Sequence, residues 1–202
     1  MNKGQLIVFS GPSGVGKGTV LKEFLKNREN VALSVSATTR QPRPGEENGV
    51  HYYFLTKEDF LKKVEEGNML EYAQYNQNYY GTPKDKVEEA LEQGRDIILE
   101  IEVQGALLVK EKCPDALLVF VMPPSWQELR SRLVGRNTED AATIENRLTI
   151  ARQELQQAVH YDYILVNDSV AEAAQRLEHI IEAGRCRITE MKDFIREVDQ
   201  HA

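Results

Sequence analysis

Three groups of residues in this chain have the types and the spacing for chemistry on phosphates. The first is Gly11-Pro12-Ser13-Gly14-Val15-Gly16-Lys17, followed by Gly18 and Thr19. Glycines at this spacing let the backbone turn so that several N–H groups converge on one small volume, and a helix opening directly afterwards adds the unpaired N–H groups of its first turn. Such a volume favours an anion. Lys17 adds a mobile positive charge, so the expected ligand is the phosphate tail of a nucleoside triphosphate. A glycine-rich turn that binds nothing is the competing reading; the strand before and the helix after argue against it. The pattern runs as G-x-x-x-x-G-K up to Lys17, but Gly18 stands where a metal-holding Ser or Thr is usual, and Thr19 comes one place later. Mg²⁺ held through water is therefore expected.

The second group follows Ser36, in Ala37-Thr38-Thr39-Arg40-Gln41-Pro42-Arg43-Pro44-Gly45-Glu46. Two arginines three apart, preceded by hydroxyls in a loop stiffened by prolines, suit a second oxyanion; a solvated basic loop is the alternative. The third is Arg130-Ser131-Arg132-Leu133-Val134-Gly135-Arg136-Asn137, arginines around a glycine hinge, with Arg147 on the long helix expected next. Arginines on a mobile flap can close over a triphosphate and supply charge only when substrate is bound; arginines simply solvated on a helix are the alternative. Among acids, Glu71 is the only carboxylate of a candidate strand, 69–75, where a lone Glu usually faces solvent. Glu100 and Glu102 end a run of near-continuous apolarity. In an open α/β sheet, ligands sit at the carboxyl ends of the strands, so this pair is expected to hold hydrated Mg²⁺ or to accept a hydrogen bond from substrate; a charged strand end that simply reaches solvent is the alternative.

The elements that must position these residues follow from periodicity and punctuation. Strands are expected at 6–9, 31–36, 51–55, 69–75, 96–102, 116–122 and 161–166, and helices at 19–26, from Thr56 to Gly67, from Pro83 to Gly94, and at 104–112. Ser125 is placed to cap a helix containing Trp126, Leu129 and Leu133; a long helix spans 139–159, another 170–187, and the tail is also read as helical. Asn78-Tyr79-Tyr80-Gly81-Thr82-Pro83 reads as a turn rich in hydroxyls and aromatics. Strands alternating with helices argue an α/β fold, a parallel sheet flanked by helices. Residues 37–94 read as an inserted small lobe of short strands and two helices.

At 202 residues, with 41% hydrophobic and 28% charged residues, the chain has the composition of one soluble domain able to bury a core. It contains no apolar run long enough to cross a membrane and no signal-peptide pattern, and a cytoplasmic location is expected. A net charge of −7 disfavours non-specific nucleic-acid binding. Cys113 and Cys186 stand apart from each other and from histidines, as expected of ordinary buried or half-buried cysteines in a reducing compartment.

Taken together, these residues resemble the guanylate kinases over essentially the whole chain to about residue 185. The resemblance runs through the phosphate loop, Ser36 to Glu46 with Gly49 and Tyr52, then Glu71, Asn78 to Thr82, Gln104-Gly105 and Gly135-Arg136. It implies transfer of the γ-phosphate of ATP to GMP, giving ADP and GDP with Mg²⁺, on a single domain made of a core (1–36, 95–125 and 160–202), a GMP-binding lobe (37–94) and a helical lid (126–159). By the family pattern Arg40, Arg43, Tyr52 and Tyr80 hold the GMP phosphate, and Ser36, Glu71, Thr82 and Glu102 contact guanine. Gly11 to Thr19 hold ATP, with Asn167 near adenine. Lys17, Arg40, Arg132, Arg136 and Arg147 attend the transferring phosphoryl, and Thr19 and Glu100 attend the metal through water. Guanine presents N1–H and the 2-amino group as adjacent donors to one carboxylate, which makes Glu71 the expected specificity residue. The partners implied are small molecules, ATP and GMP, with no nucleic acid and no membrane; self-association is left open. A non-catalytic phosphopeptide-binding relative, or a kinase for another nucleoside monophosphate, would fit the intact loop and Glu71 less well.

Overall fold

The computed structural model describes residues 3–75, 77–135 and 140–200. In chain order it begins with β1 (Leu6–Ser10), α1 (Lys17–Phe24), β2 (Val31–Leu33), β3 (Ala37–Thr38), β4 (Tyr53–Phe54) and α2 (Lys57–Glu65). Then come β5 (Met69–Tyr75), β6 (Asn78–Pro83), α3 (Lys84–Glu92), β7 (Asp96–Glu100) and α4 (Val103–Lys112). The chain closes with β8 (Leu117–Met122), α5 (Trp126–Val134), α6 (Ala141–Gln156), β9 (Tyr163–Val166), α7 (Val170–Arg185) and α8 (Ile188–Gln200).

Five strands form one sheet in the order β2-β7-β1-β8-β9, and the order β4-β3-β6-β5 makes a second sheet. The first is parallel, with Val31 to Leu33 opposite Asp96 to Ile98 and Val119 to Met122 opposite Tyr163 to Val166. Strand β8 shows why: Leu117 to Val121 are all buried, which a strand covered on both faces requires. The chain divides into two compact units, Phe9–Arg28 with Leu117–Ala202, and the remainder up to Ala116.

In the unit made of Met1–Val8 and Glu29–Ala116, the small sheet is built on Ala37, Phe60 and Met69, with Tyr53, Leu55, Val64 and Tyr79 packed around them. Helix α2 brings Phe60 there. It starts where the Thr56 hydroxyl accepts the Asp59 N–H at 3.1 Å, and the chain leaves it through Gly67 at φ 71°. The buried side of α3 is Val87, Ala90 and Leu91, as its spacing predicts.

The expected strand 31–36 is shorter, Val31–Leu33, and the chain then passes to the second sheet at Ala37. After Leu33, Ser34 N still donates to Ile98 O at 2.9 Å, and Ala37 and Thr38 then pair with Gly81 and Tyr80. The segment 78–83 is strand β6 rather than a turn: Tyr79 and Tyr80 lie opposite Gln74 and Ala73, and Gln77, just before it, takes φ 70°. Tyrosines suit a pleated, half-buried surface, and the hydroxyl-rich, glycine-containing look of the segment concealed that. Glu102 lies beyond β7, at the N-cap position of α4, because the strand stops at Glu100.

In the other unit α1 packs on α7; Val20, Leu21 and Phe24 are the buried residues of α1, and Ala173, Leu177 and Ile181 are among those of α7. Helix α5 is capped by Ser125, whose hydroxyl accepts from Glu128 N at 3.1 Å. Helix α6 is capped by Asp140, whose carboxylate accepts from Thr143 N at 2.7 Å. The expected long helix 139–159 is thus α6 followed by a 3₁₀ turn, Gln157–His160. Cys113 is half-buried, as expected; Cys186 is exposed at the end of α7, against expectation. Among the described residues, no helix is long and apolar enough to cross a membrane.

Candidate active site

In the unit made of Phe9–Arg28 and Leu117–Ala202, the end of strand β1 delivers the chain into the glycine loop and α1 takes it up again. Gly11, Gly14 and Gly16 all have positive φ, at 146°, 85° and 93°. At Gly11 a side chain is also excluded by space, since a Cβ would lie 2.4 Å from the backbone Val121 O; one on Gly14 would meet Leu133 Cδ2 and one on Gly16 Asn167 Nδ2, each at 2.6 Å, and those side chains would have to shift. Gly16 is the N-cap of α1, so the free N–H groups of the first helical turn open from the loop itself. Lys17 donates to Gly11 O at 2.5 Å and to Pro12 O at 3.3 Å, arching across the loop it follows.

Three further side chains hold that loop. Asn167, buried at the end of β9, donates from Nδ2 to Val15 O at 2.8 Å. Arg132 of α5 donates to the same Val15 carbonyl at 3.1 Å and to Asn167 O at 3.1 Å, with its Nε on Glu128 at 2.9 Å. Arg147 of α6 donates to the Ser13 hydroxyl at 2.6 Å. Two of the expected flap arginines therefore sit at the phosphate loop, and Arg136 lies outside the described residues. Gly18 and Thr19 are exposed on the first turn of α1.

In the other unit, Arg40 and Glu46 form a two-pronged pair at 2.9 and 3.0 Å. Glu46 also accepts the Arg43 backbone N–H at 2.7 Å. These bonds, that of Arg40 above all, hold the Glu46 carboxyl down to about 2. The Arg40 guanidinium lies 5.4 Å from the Tyr52 ring, and Tyr80 meets Tyr52 edge-on with centroids 6.3 Å apart. Arg43 is exposed. Ser36, Tyr52, Thr82 and Glu100 line a cleft of about 170 Å³, together with Ser34 and His51.

Glu71, on β5, is buried at 6% exposure, contrary to the ordinary expectation for a lone Glu in a strand. Thr82 donates to its Oε1 at 2.6 Å, and its Oε2 faces α4 where a Cβ on Gly105 would stand only 3.1 Å away. Burial pushes its pKa up, with the Glu102 charge adding to the shift; the Thr82 bond and Lys112 oppose it. Glu102 itself is exposed.

Glu46, Ser34 and His51 were not singled out as site residues by sequence reasoning. Glu46 had a signal in the sequence, an acid six places after Arg40 beyond two prolines and a glycine. Ser34 and His51 had none, since the cleft gathers them from separate elements. Among the described residues no group of three His, Cys, Asp or Glu side chains could hold a metal ion.

A glycine loop of this geometry, between the first strand of a parallel sheet and the helix after it, defines a phosphate-binding-loop α/β protein. Comparison with known proteins narrows the class. The family model described as guanylate kinase matches residues 3–184. The guanylate kinase of Clostridioides difficile is 49% identical over 98% of this chain and 96% of its own length, and that of Latilactobacillus sakei 52% identical over 98% of each. A crystal structure of guanylate kinase from Anaplasma phagocytophilum, 35% identical, superposes with a TM-score of 0.70 over 92% of this chain and 88% of that one. The chain belongs to the guanylate kinase family.

Proposed function

We propose that this chain is an ATP:GMP phosphotransferase, a guanylate kinase that converts ATP and GMP into ADP and GDP. The observation that carries the substrate choice is Glu71: a buried carboxylate with one oxygen held by Thr82. An ionised carboxylate accepts the N1–H and 2-amino hydrogens of guanine side by side, whereas adenine would turn the N1 lone pair toward it. A buried acceptor left facing a lone pair is costly, so the discrimination is large. Ser36, Thr82 and Glu102 assist at the base.

Arg40, Arg43, Tyr52 and Tyr80 receive the GMP phosphate. Glu46 keeps the Arg40 fork ordered beforehand, and an incoming phosphate takes up donors already oriented. At the other substrate, the loop Gly11 to Thr19 receives the ATP phosphates, and Lys17 exchanges the Gly11 and Pro12 carbonyls for phosphate oxygen. Asn167 holds the loop and lies on the adenine side. Mg²⁺ arrives with ATP as part of that substrate, and Thr19 and Glu100 are the chain's candidates for hydrogen-bonding its water ligands.

In the transfer an oxygen of the GMP phosphate forms the new bond to the γ-phosphorus while the bond from that phosphorus to the β,γ-bridging oxygen breaks, and ADP leaves. The attacking oxygen is anionic at neutral pH, so no general base is needed. Lys17, Arg40, Arg132, Arg136 and Arg147 neutralise charge on the moving group. The core, the GMP-binding lobe (37–94) and the lid (126–159) divide these tasks between them, in the cytoplasm.

The test is a coupled ADP-release assay offering GMP, AMP, UMP and CMP in parallel, with Glu71→Gln beside the wild type. GMP alone should turn over well. Glu71→Gln should raise the KM for GMP roughly 10- to 100-fold, the range for a lost charged hydrogen bond, and leave the KM for ATP within about threefold. Equal losses for both substrates would refute the guanine assignment.

A further inference from the structure

Strand β5 is an edge of the small sheet, and Glu71 sits where its pairing with β6 breaks step. Met69 lies opposite Pro83 and Tyr72 opposite Gly81, so β5 carries one residue more than β6 across this stretch. Such a bulge re-aims the side chains beside it. Regular alternation would put Glu71 on the face where Met69 joins Ala37 and Phe60. Instead Met69, Leu70 and Glu71 are all buried, and the Glu71 carboxylate meets Thr82 on β6 and Gly105 on α4.

A bulge on an edge strand has no second strand to hold it. Beside Met69 it is Asn68 O that faces β6, accepting from Lys84 N at 3.0 Å, so Met69 O points the other way. Lys112, the last residue of α4, reaches it there: its Nζ donates to Met69 O at 2.9 Å. Gly105 and Lys112 stand two turns apart on one face of α4, and that face meets β5 at the Glu71 carboxylate and at the Met69 carbonyl. A lysine in the last turn of a helix ordinarily serves that helix's own carbonyls or the solvent. Lys112 holds another element instead, immediately before the bulge that aims Glu71. Its charge also favours the ionised Glu71, against burial and the Glu102 charge.

We propose that Lys112 is a positioning residue for the GMP site: by holding Met69 O it fixes the bulge of β5, and the bulge fixes where the Glu71 carboxylate points. This role presupposes Glu71 as the acceptor of guanine's two donors.

Steady-state kinetics across pH, with GMP and ATP varied in turn, test it in Lys112→Met, Lys112→Arg, Glu71→Gln and the double variant Glu71→Gln/Lys112→Met. Lys112→Met keeps an unbranched apolar stem and loses the donors and the charge. It should raise the KM for GMP about threefold to tenfold, the range for one lost hydrogen bond, and leave the KM for ATP unchanged. The wild-type KM for GMP should rise as pH falls through the Glu71 pKa. In Lys112→Met that rise should begin at higher pH, because Glu102 then faces Glu71 without the opposing lysine. Lys112→Arg, which keeps charge and donors, should recover most of the loss. Beside Glu71→Gln, adding Lys112→Met should change the KM for GMP by less than about twofold.

A Lys112→Met variant that loses thermal stability but keeps its KM for GMP, or that raises both KM values alike, overturns the positioning role. So does a penalty that persists in full beside Glu71→Gln, or a Lys112→Arg variant as impaired as Lys112→Met. If Glu71→Gln itself leaves the KM for GMP unchanged, guanine recognition by Glu71 falls first and the role of Lys112 falls with it. Should Lys112→Met fail to fold, Lys112→Gln, whose amide ends one atom short of the ammonium, carries the same expectation and the same decision.

Discussion

At Glu71, burial and function pull on the same proton. The carboxyl is pushed above its ordinary 4.5 chiefly by burial, while the two donors of guanine, bound as proposed, would favour the ionised form. GMP binding should therefore release a proton when the pH lies near the raised value. Titration calorimetry in two buffers of different ionisation enthalpy would read that release, and Glu71→Gln should abolish it; equal heats in both buffers for the wild type would count against a raised Glu71. The same shift affects stability. Between the unfolded value of 4.5 and the higher folded one, the native chain binds more protons than the unfolded chain, so the Glu71 contribution is full below 4.5 and is lost as pH rises through the folded pKa. Glu46 has the opposite sign: held to about 2 by Arg40, it contributes above 4.5 and loses that contribution as pH falls toward 2. Gly105 enters here as well. Its missing Cβ leaves Glu71 Oε2 room on the α4 side, and Thr82 holds the other oxygen. Gly105→Ala should force the carboxylate to shift by a few tenths of an ångström and raise the KM for GMP several-fold without changing the KM for ATP, while Gly105→Val should do more. Unchanged GMP kinetics in both variants would show that the carboxylate adjusts freely.

Among the elements, the phosphate loop was legible and the small sheet was not, for a physical reason. The loop is local: three glycines with positive φ, a lysine and a helix start all lie within nine residues. Gly16→Ala should therefore fail twice over, through its φ of 93° and through a Cβ placed 2.6 Å from Asn167 Nδ2. It should lower stability by about 1–3 kcal/mol in urea unfolding and depress ATP binding further than that alone explains, whereas Lys17→Ala should fold normally and lose transfer. Near-normal ATP affinity in Gly16→Ala would mean that the loop tolerates a rearranged Asn167. Strand β6, by contrast, is made by partners far away: Thr38 and Tyr80 are paired across the small sheet, and nothing within 78–83 reports it. Its misreading as a turn came from composition. The burial of Glu71 was invisible for the same reason, since what covers it, Thr82 on β6 and Gly105 on α4, is set by tertiary contact. The resemblance to a family, rather than the pattern of β5, raised Glu71 above its solvent-facing neighbours. Arg132 is expected from the sequence to attend phosphate chemistry; its bonds to Val15 O and Asn167 O, which make it a brace for the loop, have no trace in sequence spacing.

For the whole molecule, the phosphate loop belongs to one compact unit and the Glu71 and Arg40 groups to the other, so direct transfer requires both to act on one pair of substrates at once. A compound joining adenosine and guanosine through a chain of five phosphates would test that demand. If both units can engage it together, the second contact forms at high effective concentration, and the compound should bind at least about 100-fold more tightly than GMP or ATP alone. Thermal unfolding gives the readout. At a concentration near 100 times its dissociation constant, the compound should stabilise the chain by about 2.7 kcal/mol, and the shift should exceed that given by ATP and GMP mixed at the same concentration. Lys17→Ala and Glu71→Gln should each reduce the advantage, because each removes one end of the bridge. An affinity no better than that of the stronger single nucleotide would mean that the two groups do not work on a shared substrate pair, and direct transfer between the nucleotides would have to be abandoned.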